Sequence, residues 1–268
     1  MIKFVATDID GTILGKTQKF TPGLVACIEE LKKHDVKVVV VTGRMYAAAR
    51  QIATRLKLDT PVVAYQGGMI VKDCHSDEIL YNSCLEKKDV KVIIDWAREN
   101  NIHLNLYSND ILYVEKDNDT IRRYASLQNV NYNVCSFDEL ELDGINKLLA
   151  IDYTDEDRVT EWINERQASM PHLYIIKSSP WFCEFSTKEA TKKCAVEFLR
   201  DYWGFKKEEV LTIGDQDNDI ELLKAGGISI AMGNSTPELR KYADYITDTV
   251  DNDGFVGAIE EFVLKERS

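Results

Sequence analysis

Two clusters of carboxylates stand near opposite ends of this 268-residue chain, Asp8-Ile9-Asp10-Gly11-Thr12 and Gly214-Asp215-Gln216-Asp217-Asn218-Asp219. Each follows a short apolar run, and two further runs close on Thr42-Gly43-Arg44 and Gln66-Gly67-Gly68. Glycine at such points fits a backbone that turns tightly or approaches a ligand closely. A single Asp-x-Asp is more often a turn, an N-cap or a solvated edge. Two clusters at two strand ends shift that balance, because crowded carboxylates repel and become tolerable together when a divalent cation lies between them. Oxygen-only donors with no His or Cys nearby select a hard ion, and a site with room for phosphate and water favours Mg²⁺ over Ca²⁺.

The elements that must position these residues follow from periodicity. Residues 4–6 and 36–41 are short apolar runs without alternation, the pattern of strands covered on both faces. Between them, Thr21-Pro22 offers an N-cap followed by proline at the first helical position, and Leu24, Ile28 and Leu31 recur at helical spacing. Strand, helix, strand reads as a parallel βαβ unit, which residues 46–56 (helix) and 62–64 (strand) extend. The same grammar returns at residues 210–213, 220–225 and 228–231, with Thr236-Pro237 opening one more helix. The two ends therefore read as halves of one sheet, whose carboxyl edge is where ligands gather. From about residue 84 to 185 the texture changes. Asn109-Asp110 separates two strand-like runs as a hairpin turn, and helices near 90–99, 120–127 and 159–168 alternate with strands near 148–152 and 174–177. The expected architecture is α/β: a doubly wound, Rossmann-like parallel-sheet core from residues 1–83 and 186–268, with an α+β cap inserted at 84–185.

Composition sets the remaining bounds. The formal net charge of −12 argues against a nonspecific grip on nucleic acid or an anionic membrane. Asp8 interrupts the N-terminal apolar run before a signal segment is complete, and no apolar stretch approaches the roughly 18 residues of a membrane span. A cytoplasmic protein is expected. The six cysteines show neither a C-x-x-C pair nor a zinc spacing, and read as buried reduced thiols.

The ordered set DIDGT, VVVVTGR, a lysine before a helix, and GDQDND resembles the four motifs of the haloacid dehalogenase superfamily of phosphohydrolases. The resemblance spans the whole chain. The insertion between the second and third motifs, with the late run Asn252-Asp253-Gly254-Phe255, is similar to the Cof-type (IIB) subfamily with its α/β cap.

That resemblance implies a Mg²⁺-dependent phosphatase with site residues at matching positions. Asp8 would be the nucleophile forming an aspartyl-phosphate, and Asp10 the acid that protonates the leaving oxygen and then activates water. Asp8 is also grouped with the metal-binding residues, and in the family the residue at the position of Asp10 binds the metal through its backbone carbonyl. Thr42 matches the phosphate-binding hydroxyl, compatible with a second reading as N-cap of the following helix, and Gly43 allows close approach. Arg44, placed in a first helical turn, is grouped with the phosphate- or substrate-binding residues, with a surface position or a link to the cap as alternatives. Among Lys188, Lys192 and Lys193, the helix-opening Lys192 matches the catalytic lysine. Asp215 matches a metal ligand, Asn218 a substrate-side or loop-ordering amide, and Asp219 a second carboxylate holding the metal site through water or Lys192. Asp217 reads as a solvated loop residue. Family members commonly show Asn-Gly where this chain has Gln66-Gly67.

The substrate implied is a small phosphorylated metabolite, sugar phosphates foremost. A phosphomutase or phosphotransferase sharing the nucleophile, and a noncatalytic phospho-switch, are the competing readings. Asp10 argues against the switch, since an acid/base two residues after the nucleophile promotes turnover. Specificity is expected from the cap, where Tyr107 and Tyr113 flank the Asn109-Asp110 turn. Lys177, Ser178, Ser179 and Trp181 form a segment in which Pro180 is expected to interrupt the strand pattern near the catalytic edge.

Overall fold

A computed structural model describes residues 1–265. Its central sheet has five parallel strands in the spatial order Tyr245–Ile246, Ile228–Ala231, Val210–Gly214, Phe4–Thr7, Lys37–Val40. The first and last segments of the chain thus share one sheet, with Phe4 opposite Val210 on one side and Lys37 on the other.

Alternate residues of these strands pack on opposite faces, as a pleated strand requires. Val5, Val38, Val40 and Ile213 join Leu24, Ile28 and Leu31 of the helix Pro22–Lys33 on one side. Phe4, Ala6, Val39 and Val210 join Val196, Leu199 and Leu222 on the other. Burying each large aliphatic side chain contributes roughly 1.5–3 kcal/mol, which explains why these runs carry no polar alternation. Thr21 caps its helix as expected, accepting from the Leu24 N–H at 3.1 Å.

The strand Val62–Ala64 departs from the simple βαβ continuation. Its backbone pairs with the parallel sheet at one bridge, between Val41 and Val63, and otherwise pairs antiparallel with Met69–Val71, which pairs with Ile79–Asn82. This small sheet was not legible in the sequence, because its strands are three or four residues long.

Residues 103–187 supply a second, six-stranded sheet, antiparallel except for its last pair, Ile111–Val114 with Asn133–Val134. The helices Lys87–Glu99 and Glu156–Ser169 pack on it, and Trp96 meets Trp162 and Phe185 edge-on at 5.8 and 5.7 Å. This is the inserted α+β domain. Asn109 and Asp110 both have positive φ (50° and 61°), the tight two-residue turn their side chains predict. The chain segments entering and leaving the inserted domain meet where the Ser83 and Thr187 hydroxyls hydrogen-bond at 2.5 Å.

Three expectations need correction. Pro180 does end a strand, forming with Trp181 the turn into Phe182–Thr187, but the polar pair before it is no break: Ser178 and Ser179 belong to the strand Leu173–Ser179, with a register irregularity after Lys177. The cysteines are all free, but only Cys27, Cys74 and Cys183 are buried; Cys84 and Cys135 are half-buried and Cys194 is exposed, on the solvent side of its helix. Thr42 does not cap the following helix, which begins at Tyr46 with Met45 as its N-cap, so Arg44 precedes the helix rather than lying in its first turn. Among the described residues no helix is long and apolar enough to cross a membrane.

Candidate active site

The strand Phe4–Thr7 delivers Asp8 to the carboxyl edge of the sheet, its N–H bonded to the Ile213 carbonyl of the neighbouring strand at 3.0 Å. That neighbour ends at Gly214 and delivers Asp215 beside it. The turn after Asp8 depends on Gly11, which has φ +84°; a Cβ there would lie 2.1 Å from an Asp215 carboxylate oxygen. Only glycine lets the two acidic loops come this close.

Lys192 lies between the clusters. It is the first residue of the helix Lys192–Tyr202, capped by Thr191, and its Nζ donates to Asp8 Oδ1 and Asp219 Oδ1, each at 2.5 Å. An ammonium is disfavoured at a helix N-terminus, and Lys192 is only 1 % exposed, so these two carboxylates must hold it there. Lys188 is exposed and Lys193 half-buried, so of the three candidates Lys192 is the one buried beside Asp8.

Asp219 uses its second oxygen to accept from the Asp215 and Gln216 N–H groups at 2.9 and 3.1 Å, which folds the loop back on itself. Asp215 accepts from neutral donors: Thr12 Oγ1 at 3.2 Å, Gln216 Nε2 at 2.9 Å and Asn234 Nδ2 at 3.4 Å. Asp8, Asp215 and Asp219 each offer an oxygen within 4.8 Å of the others. The Asp10 carboxylate lies outside this group, because Arg44 holds both its oxygens through Nε at 2.7 Å and Nη2 at 2.5 Å. Arg44 is thus neither a surface residue nor a link to the inserted domain. Asp217 is exposed and accepts from Thr236.

Electrostatics mark the cluster as short of positive charge. Burial, opposed by Lys192 but reinforced by Asp219, Asp215 and Asp10, holds the Asp8 carboxyl well above the usual carboxylate range. Burial and Asp219 push Asp215 up to about 7. Burial works against the Lys192 ammonium, yet Asp219 and Asp8 outweigh it and keep its pKa above the ordinary value. Three buried carboxylates with one ammonium and oxygen donors alone suit a hard divalent cation.

Thr42 is buried at the end of Lys37–Val40 and accepts from the Arg44 N–H at 3.2 Å. Gly43 is packed so tightly that a Cβ would meet the Gln66 amide at 2.3 Å. Gln66, with φ 59°, donates to Glu184 at 3.3 Å and accepts from Asn218 at 3.4 Å. Asp8, Asp10, Thr42, Gly43, Arg44 and Asn218 all face one cavity of about 200 Å³. A cavity of about 620 Å³ elsewhere in the inserted domain, among Arg98, His103, Asp152 and Trp162, is larger but borders none of the residues above. The residues singled out in the sequence therefore gather at the smaller one.

The inserted domain closes that smaller cavity with Tyr124, Gln128, Lys147, Ser178, Ser179 and Glu184. Sequence reasoning placed Ser178 and Ser179 near the site, and they are there. It also named Lys177, which turns away to Glu156 and Thr160; Trp181, which does not line the cavity; and Tyr107, which is buried and donates to the Tyr124 hydroxyl. It missed Lys147 and Glu184. Their signal was a lone charge inside an apolar strand, Ile-Asn-Lys-Leu-Leu and Phe-Cys-Glu-Phe, which a fully buried strand carries only when the charge has a partner.

Residues 5–259 match the family model of haloacid dehalogenase-like hydrolases. The chain belongs to that family. Its relatives include phosphoglycolate phosphatase 1 of Saccharolobus solfataricus, 31% identical over 99% of this chain and 96% of that one. The 5-amino-6-(5-phospho-D-ribitylamino)uracil phosphatase YcsE of Bacillus subtilis is 28% identical over 98% of this chain and 96% of its own. The haloacid dehalogenase subclass IIB sugar phosphatase BT4131 shares the fold, with a TM-score of 0.86 at 23% identity, covering 97% of this chain and 98% of that one.

Proposed function

We propose that this hydrolase is a Mg²⁺-dependent phosphatase of small phosphorylated metabolites, sugar phosphates foremost, acting through an aspartyl-phosphate on Asp8. The observation that carries the reading is the Lys192 ammonium held between Asp8 and Asp219, with Asp215 alongside, where Asp8 lines a small cavity closed by a second domain.

Asp8 Oδ1 is occupied by Lys192 and Asp8 Oδ2 accepts no hydrogen bond among the described residues, which leaves Oδ2 as the attacking atom. As it bonds to phosphorus, the ester P–O bond breaks and the leaving oxygen takes a proton from Asp10. Asp10 must turn from Arg44 and take up a proton from solvent for this, because both its oxygens are engaged in the resting ion pair; the second half of the cycle returns that proton to it. Asp10 then takes a proton from water, which attacks the acyl phosphate and frees Asp8 and inorganic phosphate. Thr42 and Lys192 bind phosphoryl oxygens, and Arg44 sets the position of Asp10. Bound Mg²⁺, held by Asp8 and Asp215 with Asp219 ordering their loop, would offset the charge of the phosphoryl group. Residues 84–185 serve as the cap that excludes macromolecules and water, a boundary supported by the Ser83 to Thr187 contact.

The test is phosphate release from a panel of phosphorylated metabolites with and without Mg²⁺, using wild type and Asp8→Asn. Wild type should release phosphate only with the metal, and Asp8→Asn should lose several orders of magnitude in kcat while remaining folded. Isomerised product in place of free phosphate would assign a mutase instead, and near-normal turnover by Asp8→Asn would remove the covalent route.

A further inference from the structure

Lys147 lies in the inserted domain, on the strand Ile145–Ile151, yet its ammonium reaches out of that domain and donates to the backbone carbonyl of Gly43 at 2.7 Å. It is 1 % exposed, and its charge is met by Glu184, also buried, at 3.4 Å. Glu184 in turn accepts from Ser178 of the inserted domain and from Gln66 of the core. Taking an ion pair out of water is costly, and a pair retained at a domain boundary calls for a reason beyond packing.

The carbonyl of Gly43 and the N–H of Arg44 are the two ends of one peptide unit. Lys147 grips the first end, and the second donates to Thr42 Oγ1 at 3.2 Å. A cationic donor on a carbonyl polarises that peptide and strengthens the hydrogen bond its N–H gives. With one lone-pair site of Thr42 Oγ1 so engaged, the Thr42 hydroxyl hydrogen is directed away from Arg44. The same peptide leads directly into Arg44, whose guanidinium holds Asp10.

We propose that Lys147 is a positioning residue through which the inserted domain, when seated on the core, orients the Gly43–Arg44 peptide and hence the Thr42 hydroxyl for phosphate. This rests on the reading of Thr42 as a phosphate-binding group. It makes phosphate affinity depend on the seating of the cap, so that the phosphate loop is fully organised only when the cavity is closed.

Lys147→Met alone would strand the buried Glu184 charge, so the informative variant is Lys147→Met with Glu184→Gln, which removes both charges together. Binding of inorganic phosphate to the full chain with Mg²⁺ is measured by competitive inhibition, alongside kcat/KM for a small aryl phosphate and the melting temperature. The neutral pair should weaken phosphate binding about ten- to hundredfold, the loss of one charge-assisted hydrogen bond. Lys147→Arg, which keeps a cationic donor, should retain more phosphate affinity than the neutral pair, and being charge-conserving it keeps the test open if the neutral pair does not fold. In a Thr42→Val background the further loss from the neutral pair, or from Lys147→Arg, should shrink to within about twofold, because residues acting through one another are not additive. Full additivity, a neutral pair that binds phosphate as wild type does, or a folded Lys147→Arg that loses the tenfold or more expected of the neutral pair, overturns the proposal. So does a loss confined to large substrates, which would make Lys147 a reader of the leaving group. If Thr42→Val itself leaves phosphate binding unchanged, the reading of the phosphate loop falls instead.

Discussion

Lys192 and Asp8, 184 positions apart in the chain, meet at 2.5 Å in a pair almost wholly withdrawn from solvent. A buried ammonium without its carboxylates would be strongly disfavoured, so pair and loop are mutually dependent. Lys192→Met should abolish detectable turnover and also lower stability by about 3–5 kcal/mol in metal-free protein, the usual cost of breaking a buried pair on one side. Lys188→Ala, at an exposed position, should change both by little. Denaturant titration with steady-state kinetics on the two variants decides it, and the reverse ranking would move the catalytic lysine to Lys188.

The Asp10–Arg44 pair makes a different prediction. If Asp10 gives its proton to the leaving oxygen, Asp10→Asn should slow esters with basic alcohol leaving groups far more than activated aryl phosphates, since acid assistance matters most for a poor leaving group. Arg44→Gln frees Asp10 of the one ion-pair partner it has among the described residues. It should therefore lower kcat on both substrate types by about ten- to a hundredfold by letting Asp10 wander, in keeping with the cost of misplacing a catalytic group. A plot of log kcat against leaving-group pKa for the three proteins separates these outcomes, and equal slopes would leave Asp10 with no role as an acid.

Asp215 carries a carboxyl raised by burial and Asp219 to about 7. Asp215→Asn removes a charge that a divalent cation would balance, so the Mg²⁺ concentration for half-maximal activity should rise at least tenfold. The same variant should show less thermal stabilisation by added Mg²⁺ than wild type, a readout independent of turnover. Chelation with EDTA should abolish wild-type activity. Activity that survives exhaustive chelation contradicts the metal requirement.

Alkaline pH should destabilise the fold. Burial pushes the phenols of Tyr65 and Tyr107 well above their ordinary value near 10, with Asp110 adding to the effect on Tyr65 and Tyr124 to that on Tyr107. Below about pH 10 both states keep these phenols protonated and stability is intact; above it the unfolded chain ionises while the folded one does not. Stability therefore falls as pH rises, by at most about 1.4 kcal/mol per pH unit for each phenol. Lys147, pulled down by burial against Glu184, acts oppositely, but only below the ordinary lysine range near 10.5. Urea midpoints at pH 7, 9 and 11 should fall only in the last step, and Tyr107→Phe should flatten that fall.

Much of this was legible in the sequence because the signals are local. Thr21-Pro22 opens a helix through its own hydroxyl and ring, Asn109-Asp110 turns a hairpin through residues that tolerate positive φ, and unalternated apolar runs mark strands covered on both faces. Asp8, Thr42 and Asp215 were picked out for the same reason: each stands where an apolar run stops, and the ends of parallel strands gather at one edge of a sheet. Lys192, which opens a helix, was picked out through the family resemblance alone. Periodicity is silent on which side chains meet across domains. That Asp10 turns to Arg44 instead of joining the acidic group, and that Lys192 rather than Lys188 is buried, follow from how loops dock after the sheet has formed. The contact of Lys147 with Gly43 spans 104 positions and two domains. No local pattern encodes it, because the partner that makes a buried lysine tolerable is brought there only by the seating of one folded unit on another.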